Sequence, residues 1–401
     1  MKRSIPFKNL KEGVSVTTIV KTEDYVPNKI GRAFMSIAQY VEEFVLVWTG
    51  DPDTGFADDP DYIEGRQVAP PSWLEKACQG RPVKVVQSAW CWDFSHSRNV
   101  GIELCSHEWI FVIDADEIMP EPNPQAIHAL AREDDEALLY FFPVLMLDGG
   151  NRNTEDMSRV SGLRMFKNIP LHRYQGFVHN QLRFNRALAG HIDATIEHHG
   201  VAEQDVEKRR ARNAKFQEKI MEHLAEHPED LENVSKLCQT YSYDNNYEKV
   251  VEWGEKLWER IAPVSMSRPT DDEMEKIQEH GRLGYWVGLS KLFLGDVKGA
   301  YEFASPLSRW FESCDLYYVC GQAAYLMGDF PNAYLYFLRY MKRLPKEMSG
   351  QESTVCSTSI SKEHVREKLF ILAHAQRFGP DPFKQSGEPK PVRLRENNDG
   401  N

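Results

Sequence analysis

The stretch WIFVIDADE, Trp109 to Glu117, decides how the rest of the chain is read. Five apolar residues, Trp109-Ile110-Phe111-Val112-Ile113, run without a polar break. Such a run reads as a strand buried on both faces of a mainly parallel sheet. It ends in Asp114-Ala115-Asp116-Glu117, three carboxylates in four residues. Open α/β sheets bind ligands just beyond the carboxyl ends of their strands. Carboxylates placed there can hold a hard divalent cation, which in turn holds phosphates. An isolated Asp-X-Asp would read as a solvated acidic turn, because the pattern is short and common. The unbroken strand before it and the elements around it favour a metal–diphosphate site.

Upstream, Val14 to Val20 is a β-branched run and reads as the first strand. A helical pattern follows from about Asn28 to Val41, with Ile30, Phe34, Ile37, Ala38 and Val41 at spacings of three and four. Glu43 to Thr49 is the second strand, stopped by the turn signal Gly50-Asp51-Pro52-Asp53-Thr54-Gly55. An opening of strand, helix and strand predicts a parallel sheet. Pro82 to Gln87 reads as a third strand, and Ser95 to Ser106 as a helix with Val100, Gly101, Leu104 and Cys105 on its small and apolar face. Downstream come a helix near Gln125 to Arg132, a buried strand Ala137 to Leu147 bent or broken at Pro143, two further strands (Ser161 to Phe166 and Tyr174 to Phe184), and a closing segment Ile192 to His199.

From Val201 strand signals vanish and helical ones persist to about Phe378. Gly288, Gly295 and Ala300 recur 33 residues later as Gly321, Gly328 and Ala333. A helix–turn–helix unit of about 34 residues is the tetratricopeptide period. Leu237, Tyr241, Tyr247 and Leu257 mark a weaker earlier copy, separated from the next by a polar insertion at 262–279. The helix at 362–377 reads as the cap of the array. The chain thus divides into an α/β domain at 1–200, a helical repeat domain at 201–378, and a tail at 379–401. The tail, rich in Pro, Gly, Asn and charge, is expected to be disordered.

The bulk numbers fit two folded domains. The chain has 401 residues, 41% hydrophobic and 27% charged, as in soluble globular proteins. Its net charge of −12 argues against a broad basic surface for duplex nucleic acid. Seven scattered cysteines without a C-x-x-C pair fit reduced thiols in a cytoplasm. MKRSIPFKNLKEG lacks the apolar run of a signal peptide, and no stretch approaches the length of a membrane span. The expected location is therefore cytoplasmic.

The segment Trp92-Asp93-Phe94-Ser95-His96-Ser97-Arg98-Asn99, then Gly101, Glu108-Trp109-Ile110 and Asp114-Ala115-Asp116-Glu117, resembles the family-2 glycosyltransferases. It is similar in particular to a bacterial and phage branch with W-x-D-F-x-x-x-R-N leading into D-A-D-E. Ser15 to Asp53 fits that family's opening strand, helix and T-G-x-x-D turn. Arg164-Met165-Phe166 and Gly176-Phe177-Val178-His179 are similar to its R-x-F and G-x-(I/V)-H elements. The resemblance covers about residues 14–200. A glycosyltransferase domain followed by tetratricopeptide helices also resembles enzymes that glycosylate peptides, including S-glycosyltransferases of glycopeptide bacteriocins.

The resemblance implies a Rossmann-like GT-A fold, a nucleotide-sugar donor, Mn²⁺ or Mg²⁺, and usually inversion at the anomeric carbon. It places Asp116 and His198 on the metal. Asp114 and Arg98 fall on the donor, with Thr18, Val20, Asp53 and Asp93 as further donor contacts. A metal held by Asp116 would neutralise the departing nucleoside diphosphate as a Lewis acid, and the fork of Arg98 suits a diphosphate. Each has a plainer alternative: a surface ion pair for Arg98, and one buried plus one solvated ring for His198 and His199. Two departures stand out. Trp48 occupies a position where relatives often carry Asp, so it either stacks on the nucleobase or belongs to the core. His179-Asn180 stands where relatives often read H-E, which leaves Glu117, Asp156 and His179 as open candidates for the catalytic base. A thiol acceptor would need less help from a base.

The stacked helices suit an extended chain, with Tyr241, Trp286, Tyr317 and Tyr325 as candidate lining residues. A peptide or protein acceptor is therefore expected first. Modified bases in DNA come second, on the basic segment Lys208, Arg209, Arg210, Arg212 and Lys215, whose plainer reading is a solvated helix face. A degenerate, non-catalytic glycosyltransferase scaffold is the third reading.

Overall fold

The structure is a computed structural model that describes residues 10–51, 56, 62–132, 136–147, 158–176, 181–182, 184, 188–199, 206–265, 269–348 and 362–378. The chain forms two compact units, Met1–Glu229 and Asp230–Asn401. The helix Val206–Glu226 falls within the first unit. The tail at 379–401 lies outside the described residues.

The strands of the first unit, in chain order, are β1 (Lys11–Val20), β2 (Glu43–Trp48), β3 (Gln67–Val68), β4 (Val83–Gln87), β5 (His107–Val112) and β6 (Glu117–Ile118), followed by β7 (Leu139–Met146), β8 (Ser158–Lys167), β9 (Tyr174–Gln175), β10 (Gln181–Leu182), β11 (Ala189–His191) and β12 (Ile196–His198). Its helices are α1 (Arg32–Ile37), α2 (Ser72–Ala77), α3 (Phe94–Leu104), α4 (Gln125–Leu130) and α5 (Val206–Glu226). The main sheet runs β3-β4-β2-β1-β5-β8-β7-β12-β6, with β11 also on β7. The pairs β4-β2, β2-β1 and β1-β5 are parallel. Beyond β5 the sheet becomes mixed: β8 lies antiparallel between β5 and β7, and β12 is parallel to β7 but antiparallel to β6. The mainly parallel expectation therefore holds only for the run β4-β2-β1-β5, since β3 at the edge is also antiparallel to β4. β7 and β8 follow one another directly as an antiparallel pair, so they need no helical crossover.

The apolar run of β5 is buried on both faces, as its sequence predicted. Trp109, Phe111 and Ile113 join Val14, Val16, Phe34, Phe44 and Leu46 on one face, whereas Ile110 and Val112 join Val45, Ile102, Leu139 and Phe166 on the other. Full burial of each such side chain contributes roughly 1.5–3 kcal/mol. The first face is covered by α1, α2 and α4 and the second by α3, through Phe34, Leu74, Ile127 and Ile102 respectively. Pro143 does not break β7. On one edge β7 pairs with β11 at 139–141 and with β12 at 144–146, and the proline, which has no N–H to donate, falls outside both registers.

The second unit consists of α6 (Leu231–Tyr243), α7 (Tyr247–Ile261), α8 (Asp271–His280), α9 (Leu283–Phe293), α10 (Val297–Leu307), α11 (Cys314–Leu326), α12 (Phe330–Met348) and α13 (Lys362–Phe378). The 33-residue repeat is real in three dimensions. Gly295 and Gly328 adopt φ of +82° and +81°, turning α9 into α10 and α11 into α12. Asn245, at φ +56°, makes the same turn between α6 and α7. Gly288 and Gly321 sit where a Cβ would come within 2.7 Å of Val319 and Phe337 respectively. The polar insertion at 262–279 contains α8, which starts at a capping box of Thr270 and Glu273. α13 packs Val365 and Leu372 into the core of α11 and α12, as expected of a cap. Of the aromatics proposed to line a groove, Tyr317 and Trp286 are core residues; Tyr325 is half-buried beneath Lys368.

Candidate active site

The connection order decides where a ligand can sit. From β1 the chain moves outward to β2 and β4, then returns to the other side of β1 as β5. The strand order thus reverses between β1 and β5, the place where open α/β sheets form a ligand crevice beyond the carboxyl ends of their strands. The acidic turn follows the carboxyl end of β5, at that place. The Glu117 N–H donates to the Asp114 carbonyl at 3.1 Å, and the Asp114 N–H donates to Glu117 Oε2 at 3.0 Å, closing the turn on itself. β12 then brings His198 opposite Glu117, while the His199 N–H donates to the Asp116 carbonyl at 2.8 Å.

The segment before β5 is now legible residue by residue. Asp93 caps α3 by accepting from the His96 N–H at 3.0 Å. Ser95 Oγ donates to the Gly176 carbonyl at 2.6 Å. The Asn99 amide both donates to the Tyr174 carbonyl (3.0 Å) and accepts from the Tyr174 N–H (2.9 Å), fixing β9 over the helix. Gly101 lets α3 press directly on Thr17 of β1. Arg98 is aimed at the acidic turn, its Nη2 donating to Asp114 Oδ1 at 3.0 Å, with its guanidinium 5.3 Å from the Tyr174 ring centroid.

A second arginine, not singled out from the sequence, completes the cluster. Arg164 on β8 places Nη2 2.5 Å from Glu117 Oε1 and Nη1 3.6 Å from Asp114 Oδ2. Asp114 therefore sits between two guanidiniums. Burial opposes its charge, yet Arg98 and Arg164 hold its pKa down at about 2, so it is a permanent carboxylate. Burial pushes the Glu117 carboxyl upward, against the pull of Arg164. Burial also works against a charged His198, but Asp116, Glu117 and Asp114 together carry its pKa above the usual value. His198 Nδ1 lies 3.4 Å from Asp116 Oδ1 and 3.7 Å from Glu117 Oε1, close enough for ion pairing but outside hydrogen-bond geometry.

The expected site residues separate accordingly. Asp114, Asp116, Glu117, His198 and Arg98 come together. Glu117 is 1% exposed and tied to Arg164, so in this structure it anchors the turn. Arg98 is spent on Asp114, and its Nε and Nη1 are buried, so no fork is presented to a phosphate in this conformation. Val20 is buried, and its carbonyl already accepts from the Thr49 N–H and hydroxyl. Asp93 has a capping role. Thr18 Oγ1 is buried without a hydrogen-bond partner among the described residues, on the strand that leads to the crevice. Trp48 is half-buried in an aromatic cluster, 5.3 Å from Tyr25 and 4.9 Å from Phe56 by ring centroids, with its Nε1 donating to Thr22 Oγ1 at 3.2 Å. Asp53, Asp156 and His179 lie outside the described residues. In the basic segment the side chains of Lys208 and Arg209 are likewise not described, and Lys215 is paired with Glu218 at 2.6 Å.

Among the described residues no group of three or more His, Cys, Asp or Glu side chains is placed to hold a metal ion by itself. Asp116 and His198 nevertheless suit two positions of a shared site. The Asp116 side chain is 34% exposed, and the facing His198 Nδ1 has no hydrogen-bond partner among the described residues. A cation bound through one or two carboxylates completes its shell with water and substrate phosphates.

No family model matches the chain. A TPR repeat-containing protein of Synechococcus elongatus is 24% identical over 326 residues, covering 73% of this chain and 74% of that protein. The SPbeta prophage-derived glycosyltransferase SunS of Bacillus subtilis is 26% identical over 157 residues, 38% of this chain and 36% of SunS. The match to SunS thus spans about a third of that relative's length. Of solved structures, residues 1–349 of S. aureus TarS in complex with UDP align with 83% of this chain and 91% of that chain, at 10% identity and a TM-score of 0.33. The chain is therefore similar, at low identity, to one glycosyltransferase and to one tetratricopeptide protein.

Proposed function

We propose that the chain is a glycosyltransferase of GT-A architecture that moves a sugar from a nucleotide-sugar donor to a peptide or protein. The observation that carries this is the acidic turn at the point where the strand order reverses, with Asp116 partly exposed beside His198. The similarity to SunS supports the reaction class. Asp116 and His198 would hold Mn²⁺ or Mg²⁺. When bound, such an ion neutralises charge that develops on the departing diphosphate. Asp114, kept ionised by Arg98 and Arg164, supplies a fixed negative charge at the crevice and suits the donor's hydroxyl groups. Arg98 and Arg164 hold the turn so that these groups do not reorganise during the reaction. In the transfer, the acceptor atom attacks the anomeric carbon, the bond to the diphosphate oxygen breaks with inversion, and the acceptor proton leaves to solvent or to a base.

A non-catalytic scaffold is the competing reading, and it draws on the tetratricopeptide relative that matches 73% of this chain. One experiment separates them. The full chain is incubated with a panel of nucleotide sugars, Mn²⁺ and either a peptide library containing Ser, Thr and Cys or DNA with hydroxymethylated bases, and both acceptors are weighed by mass spectrometry. A hexose or pentose increment on peptide supports the proposal. An increment on DNA with hydroxymethylated bases and none on peptide overturns the acceptor. The absence of both transfer and donor hydrolysis across the panel favours the scaffold.

A further inference from the structure

Among the described residues, Arg164 is the one that ion-pairs with both carboxylates flanking Asp116. Its Nη2 is 2.5 Å from Glu117 and its Nη1 3.6 Å from Asp114, while the other Glu117 oxygen takes the Asp114 N–H at 3.0 Å. Asp116 sits at the apex of the turn so braced, and the only ion-pair partner found for it among the described residues is His198. His198 in turn lies 3.7 Å from the Glu117 oxygen that Arg164 grips. We propose that Arg164 is a positioning residue that sets the cation affinity of the Asp116–His198 pair by bracing the turn through Glu117 and Asp114. This inference rests on the reading of the site as a metal–diphosphate centre.

Arg164 is 14% exposed and lies on β8, the strand between β5 and β7, so it is held from behind by the sheet. If its side chain is removed, Glu117 becomes a buried carboxylate that has lost its closest cation and keeps, among the described residues, only His198 at 3.7 Å. It then either takes up a proton or swings toward water. Either change releases the surroundings of His198 and loosens the turn that carries Asp116. Lysine cannot substitute, because its single nitrogen reaches one carboxylate where the planar fork reaches two. Groups that orient metal ligands typically cost about 10–100-fold in affinity when replaced.

The test is a Mn²⁺ titration of the full-length protein, with free Mn²⁺ followed by electron paramagnetic resonance and unfolding followed in urea. Asp116→Ala marks complete loss of the site. Arg164→Lys is expected to weaken Mn²⁺ binding about 10-fold or more. Arg164→Met/Glu117→Met replaces the buried ion pair with apolar side chains of similar size, an exchange that is often neutral for stability. A merely structural role predicts that this double variant regains both stability and Mn²⁺ affinity. The bracing role predicts regained stability with Mn²⁺ binding still at least 10-fold weak. Wild-type affinity in Arg164→Lys or in the double variant overturns the inference and leaves the site reading intact. No Mn²⁺ binding by the wild-type protein overturns both.

Discussion

Replacing Gly101 with alanine tests the link between the packing of α3 and the acidic turn. A Cβ at residue 101 would lie 2.2 Å from Thr17 Oγ1 and 3.0 Å from Val47 Cγ2. Ordinary contact begins near 3.4 Å, so α3 must lift by more than an ångström or Thr17 must rotate. Thr17 is β-branched, buried in the central strand and stiff at χ1. Overpacking of this kind costs about 1–3 kcal/mol, whereas alanine gains about 1 kcal/mol of helix propensity over glycine. The expected net loss is up to about 2 kcal/mol, because Thr17 is too stiff to relax the clash cheaply. At about 2–4 °C per kcal/mol for a unit of this size, the unfolding midpoint falls by up to about 8 °C. The assay is thermal and urea unfolding of Gly101→Ala, Thr17→Ala and the double variant. Removing the Thr17 hydroxyl and methyl opens the space, so the double variant should recover about 1 kcal/mol relative to additivity. Since α3 also carries Arg98, lifting it lengthens the 3.0 Å contact with Asp114, and donor turnover should fall with stability. A Gly101→Ala protein as stable as wild type, with no coupling to Thr17, would refute the packing argument.

Two further predictions concern the helical unit. Gly328→Ala should cost about 1–2 kcal/mol of unfolding free energy through backbone strain alone, since φ is +81° and nothing lies within 4 Å of the added Cβ. Gly328→Asn should cost clearly less, because Asn245 already occupies the equivalent turn at positive φ; equal losses would show that the strain argument fails. Burial depresses the pKa of His280, with Glu232 and Asp230 pulling the other way. The unfolded chain therefore takes up this proton first. Stability is intact above an unfolded pKa of about 6.5 and declines as pH drops below it. His280→Gln should lose less of its urea midpoint between pH 7 and 5.5 than wild type, and identical losses would exclude the burial effect.

Much of this architecture was legible in the sequence because it rests on local periodicity. The run Trp109–Ile113 has no polar residue, and a strand of that kind must be covered on both faces. The 33-residue spacing of Gly288/Gly321 and Gly295/Gly328 announced both the close helix contacts and the turns, since only small or left-handed residues satisfy them. The sheet beyond β5 was not legible. Strand direction there depends on long-range pairing, and β7 with β8 looks in sequence like any two apolar runs. The sequence pointed to the carboxylates of the turn, which the structure gathers, and it gave less weight to the guanidiniums packed beside them. Arg98 was assigned to a ligand, yet its partner is Asp114. Arg164 was quoted only as part of a motif, although a charged residue inside the apolar segment Gly162 to Phe166 must have a buried partner. Glu117 was read as a candidate base in the acidic turn. It faces inward because β6 pairs with β12, a contact between segments some eighty residues apart.

Donor hydrolysis by wild type and Asp116→Asn, with and without Mn²⁺, bears most directly on the central claim. The substitution keeps the shape of the turn and removes one charge from the side chain that faces His198. Release of nucleoside diphosphate from a nucleotide-sugar panel is followed by chromatography, and circular dichroism verifies the fold. The account predicts hydrolysis of at least one donor by wild type that depends on Mn²⁺ and falls at least 100-fold in the variant, a loss of about 2.7 kcal/mol of transition-state stabilisation. Hydrolysis that proceeds equally in Asp116→Asn, or no hydrolysis by the wild-type protein with any donor, would contradict it.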